Sequence, residues 1–139
     1  MCLYTIFQRY NPPLKEVIAF GIFRKYKGKY GEGIIGQFGH SYKRPYKINY
    51  RYRAKDCIRS IFEGSEGKKV PIPSVSCLHY IPGFHKYAHR SSARIVNIKK
   101  MAVAKVKLEE VYILGGDMSC NHIYVAKYMT ILEVYRDGN

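Results

Sequence analysis

The carboxy-terminal third of the chain is dominated by two long β-prone runs. Residues 101–114 read as a strand, Gly115-Gly116-Asp117 as a turn, and residues 122–135 as a last strand or pair of strands. Strand character recurs upstream. Residues 2–10 are rich in aromatic and β-branched types and are ended by Asn11-Pro12-Pro13, since proline donates no ladder hydrogen bond. Residues 16–24 form a short apolar run suited to a buried strand. Nothing in the chain resembles the long helical linkers that a regular parallel α/β sheet requires. The spacing of Cys57, Ile58, Ile61 and Phe62 predicts a short amphipathic helix over 54–62. Ser91 or Ser92 is placed to cap another through Lys100. Val70-Pro71-Ile72-Pro73 reads as extended connection. The expected class is α+β, strand-dominated, with a mainly antiparallel sheet and one or two short helices. The 139 residues fit one domain, 1–139, large enough to bury a core without disulfides or metals.

Charge sets the expected partners. Lys and Arg number 24 against 10 Asp and Glu, a net charge of +14. Such a surplus draws a protein towards polyanions: nucleic acid, an acidic membrane face or an acidic protein. The charge is clustered. Arg24 to Arg53 holds nine Lys or Arg, six Tyr and a single acid, Glu32. Within it, Ser41 to Arg53 alternates. Tyr42, Tyr46, Ile48, Tyr50 and Tyr52 share one parity, and Lys43, Lys47, Asn49, Arg51 and Arg53 share the other. On a strand this gives one aromatic and one cationic face, with Arg44 the exception and Pro45 favouring an edge. The expected nucleic-acid-binding residues are Lys27, Lys29, Lys43, Arg44, Lys47, Arg51 and Arg53, with Tyr42, Tyr46 and Tyr50 as stacking platforms. The aromatic face serves equally well as ordinary core, with the cations merely solvated. A second cationic run, Lys86 to Lys107, holds seven Lys or Arg and no acid, and could extend the same surface. The expected partner is RNA or a ribonucleoprotein, with an acidic protein as the alternative.

A membrane is not expected. No apolar stretch approaches a membrane span, and no sustained amphipathic helix carries the basic charge. The four cysteines, Cys2, Cys57, Cys77 and Cys120, form no CxxC pair. The amino terminus lacks a charged region followed by an apolar run. Reduced thiols and a cytoplasmic location are the expectation.

Three further patterns suggest chemistry. Gly31-Glu32-Gly33-Ile34-Ile35-Gly36 matches GxGxxG in letters, but no buried strand precedes it and no helix follows, so a hairpin or loop is expected. Cys77, His79, His85 and His89 include two histidines four apart, yet no standard zinc spacing appears and Pro82-Gly83 points to a loop. Cys2 would be terminal only after loss of Met1, and the ten acids form no evident acid/base pair. No metal or cofactor is expected, and a binding protein is favoured over an enzyme.

The carboxy-terminal half carries a resemblance. Gly83-Phe84-His85, then Ala93, the strand Ala104 to Leu114, a glycine turn and Tyr124 to Val134 resemble a group of short uncharacterised proteins of phages and mobile elements, which also open with Met-Cys. The resemblance covers about half of the chain. It implies a small protein acting on host machinery in a bacterial cytoplasm, such as a host-defence inhibitor that contacts the guide RNA, or the protein-bound channel, of an RNA-guided nuclease. The order of elements is also similar to the second half of ADP-ribosyltransferases, in degenerate form. His85-Lys86-Tyr87 stands where a Ser-Thr-Ser-type strand would be, no ExE precedes the last strand, and Glu133 lies near the end. An enzyme of that kind, or a nuclease, is the alternative to a binding protein. A module that docks on an acidic partner is a third reading.

Overall fold

The computed structural model describes residues 3–36, 44–57, 70–72, 75–80, 83–95 and 97–135. Its strands are β1 (Thr5–Gly28), β2 (Gly31–Gly36), β3 (Arg51–Arg53), β4 (Val70–Ile72), β5 (Val75–Tyr80), β6 (Phe84–Tyr87), β7 (Met101–Gly116) and β8 (His122–Tyr135). One helical turn, α1 (Ala54–Cys57), follows β3, and a 3-10 turn spans Arg90–Ser92. The expected strand-dominated, antiparallel α+β class describes this structure.

Strand β7 is the axis of the sheet. It pairs antiparallel with β1 along one side and with β8 along the other. Its sequence explains that position. Ala104, Val106 and Leu108 are buried on one face, while Lys105 and Lys107 alternate with them on the other. Glu110 then takes a left-handed backbone (φ 52°), and the register with β8 shifts between Val111 and Ile113. The bulge changes the parity, so Val111 and Ile113 point inward again. Two apolar clusters result. The larger gathers Phe23, Val106, Leu108, Met129 and Ile131, and the smaller gathers Leu3, Ile113, Ile123 and Val125. Each fully buried aliphatic side chain contributes about 1.5–3 kcal/mol of transfer free energy.

The sheet curls back on itself. Strand β6 pairs with β8 from Phe84↔Ala126 to Tyr87↔Ile123, and its Tyr87 also pairs with Phe20 of β1. Farther along β1 and β8, the segment before β3 closes the gap. The Tyr46 amide donates to the Ile34 carbonyl of β2, and the Asn49 amide donates to Ile131 of β8, both at 2.8 Å. Strands β4 and β5 form a separate two-stranded antiparallel sheet.

Several sequence expectations need correction. The two strands expected over 2–10 and 16–24 are one, β1, which begins at Thr5. Strand β1 continues past Pro12-Pro13 because those residues bulge out: between the pairs Arg9↔Ile113 and Leu14↔Val111, four β1 residues stand against one of β7. Proline's missing donor breaks the ladder locally, and the chain then rejoins the same neighbour. The alternation over 41–53 does not make one strand either. Among the described residues of that segment only Arg51–Arg53 is a strand, and Asn49 turns the chain through a left-handed conformation (φ 63°). The expected helix from Ser91 to Lys100 is absent: the 3-10 turn stops at Ser92, and residues 98–100 form a separate turn before β7. Of the helix expected over 54–62, Ala54–Cys57 is helical and 58–62 lie outside the described residues. Gly115 and Gly116 still belong to β7, and the turn begins at Asp117, whose Oδ1 accepts from the amides of Ser119 and Asn121.

Candidate nucleic-acid interface

The structure separates the residues that the alternation had grouped. Tyr46 is buried, with its ring edge-on to Tyr52 at 4.8 Å and to Phe23 at 6.0 Å. It is core and offers no face to a base. Tyr50 is 54% exposed and leans on Tyr52 at 4.7 Å. Residues of one parity thus point to opposite sides, Tyr46 and Tyr52 inward and Ile48 and Tyr50 outward. Lys47 is exposed, and its backbone amide donates to the Tyr52 hydroxyl at 2.7 Å. Arg51 lies 3.7 Å over the Tyr128 ring, with its Nε 3.3 Å from Glu109. Arg53, part-buried on β3, lines a small cavity of about 230 Å³ with Tyr50 and Cys57. Tyr42 and Lys43 lie outside the described residues.

The remaining expected cations sit on and beside a hairpin. Gly31 (φ 99°) supplies the left-handed turn that joins β1 to β2. The literal GxGxxG is strand β2 itself, paired residue by residue with Phe23–Gly28. Lys27 faces Glu32 across the ladder at 3.4 Å. Lys29 and Arg44 both approach the Tyr30 ring, at 5.6 and 5.3 Å.

A groove of about 1180 Å³ opens beside this hairpin. One wall is the end of β1, and the other is the turn before β7. Arg24 pairs with Met101, and the Lys25 amide donates to the Lys100 carbonyl at 2.8 Å. The Lys25 ammonium reaches across to the Ile98 carbonyl at 2.6 Å. The turn is braced internally. Asn97 Oδ1 accepts from the amides of Lys99 (3.2 Å) and Lys100 (3.3 Å), and the Asn97 carbonyl accepts from the Met101 amide at 2.9 Å. Lys99 and Lys100 are thereby held on the lip opposite the hairpin. Five cations line the groove, Arg24, Lys25, Lys27, Lys99 and Lys100, with one acid, Glu32, already facing Lys27. Clustered like charges on a concave apolar wall focus their field on whatever enters.

The floor is apolar. Ile34, Tyr46 and Ala102 are buried beneath the groove, and Ile48 stands 52% exposed within it. Gly33 lets the layers approach: a Cβ there would meet the Pro45 ring at 2.7 Å. Tyr135 completes the lining, with the Arg90 guanidinium stacked 3.7 Å over its ring. Four of the five groove cations lay outside the residues expected from sequence. The cationic run from Lys86 to Lys107 was the signal for Lys99 and Lys100, since β7 returns it beside β1.

The described histidines and cysteines form no cluster. His85 is buried, with Nδ1 2.8 Å from the Gly83 carbonyl. Burial holds its imidazole down to about 3; the charge of Lys86 pushes the same way and the Gly83 bond opposes. His89 lies in another environment, its ring 5.9 Å from that of His122. The side chains of Cys77 and His79 are not described. Among the described residues no group of three or more His, Cys, Asp or Glu could hold a metal ion. Burial pushes the Cys57 thiol up to about 12; Asp56 adds to this and a bond from Tyr46 opposes it. Among the described residues no helix is long and apolar enough to cross a membrane.

No protein-family model, curated protein or solved structure matches the chain.

Proposed function

We propose that this is a non-enzymatic binding protein for RNA, free or within a ribonucleoprotein, and that the groove between the β1–β2 hairpin and the 97–100 turn is its working surface. One observation carries the reading: two cationic segments distant in sequence converge on one concavity whose only acid, among the described residues, is already paired. Cations there would contact phosphates and release counterions, giving affinity without sequence preference. The exposed Lys29 and Lys47 lie nearby in the chain and would extend the field. Arg51 is committed to Tyr128 and Glu109 and supports the fold more than the surface.

The experiment is an anisotropy titration of labelled RNA across a salt series. Contacts from four or five groove cations predict a log–log salt slope of about −2.8 to −3.5. Binding that ignores salt would refute the reading. Failure to bind RNA, with nuclease-resistant capture of an acidic protein, would favour a protein partner.

A further inference from the structure

We infer that the groove takes RNA as an unpaired strand, with bases seated on its apolar floor and phosphates held by its lysine lips. This rests on the RNA-binding reading above and goes further, because a cationic surface alone does not choose between single strand and duplex.

The choice comes from the lining. A duplex presents phosphates outward and keeps its base faces stacked inside, so it offers an apolar floor nothing to bury. Here the cations line the groove together with Ile48, which is exposed, and Val134, which is part-buried, above the buried Ile34 and Ala102. An unpaired strand has both chemistries to offer. Its phosphates meet the walls and its base faces cover the apolar surface, the arrangement of charged grooves that track single strands.

Tyr135 supplies a stacking element. It is one of the residues that line the groove, and Arg90 sits 3.7 Å over its ring. A ring clamped by a guanidinium loses little freedom when a base stacks on it. Tyr26, part-buried on β1, lines the same groove. The 97–100 turn is braced by Asn97 and tied by Lys25, so the lip is already formed before a strand arrives.

Three labelled ligands of equal length test this on the unmodified protein: single-stranded RNA, the same sequence as duplex, and an abasic oligomer with the same phosphates. The expected result is single-stranded RNA binding about tenfold or more tighter than the abasic oligomer, and tighter than duplex. Tyr135→Ala should pull RNA affinity towards the abasic value, and Tyr135→Phe should leave it unchanged. Equal, salt-dependent binding of all three ligands would overturn this inference and leave RNA binding standing. Tighter duplex binding would do the same. Binding of none would overturn both.

Discussion

The Lys25 ammonium donates a 2.6 Å hydrogen bond to the backbone carbonyl of Ile98, 73 residues further along the chain. This bond joins the amino-terminal hairpin to the turn that carries Lys99 and Lys100. It reinforces the backbone pairing of Arg24 with Met101 and of Lys25 with Lys100, which sets the two segments side by side.

Lys25 therefore acts both as a charge and as a tie. Lys25→Met should lower stability by about 1 kcal/mol, the net worth of one typical hydrogen bond. It should also weaken RNA binding more than Lys27→Met, which removes an equal charge already opposed by Glu32. Thermal melts with paired titrations check this, and equal affinities for the two variants would contradict it.

Arg51 should behave as a structural residue. Its guanidinium is spent on Tyr128 and Glu109. An exposed cation–π contact and an ion pair are each worth up to about 1 kcal/mol. Arg51→Ala is expected to lower the urea midpoint while changing RNA affinity less than twofold. A stable variant with lost affinity would restore Arg51 to the binding surface.

Acid should destabilise the protein through His85. Its folded pKa, about 3, lies below the ordinary 6.5. Between those values the unfolded chain binds a proton that the native protein refuses, so stability falls as pH drops from 6.5 towards 3. This one group contributes a slope of up to about 1.4 kcal/mol per pH unit. Urea denaturation at pH 7, 6, 5 and 4 measures the slope, and His85→Gln should flatten it. An unchanged slope in that variant would assign the acid response to other groups.

The two cysteines with described side chains should differ in reactivity. Cys57 is buried and its thiol is held protonated up to about pH 12, whereas Cys120 is exposed in the turn after β7. Brief iodoacetamide treatment at pH 8 followed by peptide mass mapping should find Cys120 modified and Cys57 protected until denaturant is added. Equal modification would show that the α1 region opens readily.

The sheet was legible in the sequence because long β-prone runs such as 101–114 keep their period whatever lies beside them. The bulges were not. Nothing in the letters around Pro12-Pro13 shows that β1 rejoins the same neighbour, and Glu110 is an unremarkable residue in a left-handed conformation. The aromatic and cationic faces over 41–53 failed as a pattern because the segment is not one strand: Asn49 turns the chain, and Ile48 and Tyr50 are exposed while Tyr46 and Tyr52 are buried. Charge clustering along the sequence included the β1–β2 hairpin, through Lys27. The opposite lip depends on β7 carrying Lys99 and Lys100 back beside Lys25, a tertiary relationship that composition does not encode.

The most direct test compares two double charge reversals of equal size in the same single-stranded RNA titration. Lys99→Glu/Lys100→Glu alters the groove lip, and Lys29→Glu/Lys47→Glu alters exposed cations outside its lining. The groove account predicts at least a tenfold loss of affinity for the first pair, with a salt slope shallower by about 1.4. It predicts less than a threefold loss for the second. Equal losses from both pairs, or a larger loss from the second, would contradict the claim that the groove is where RNA binds.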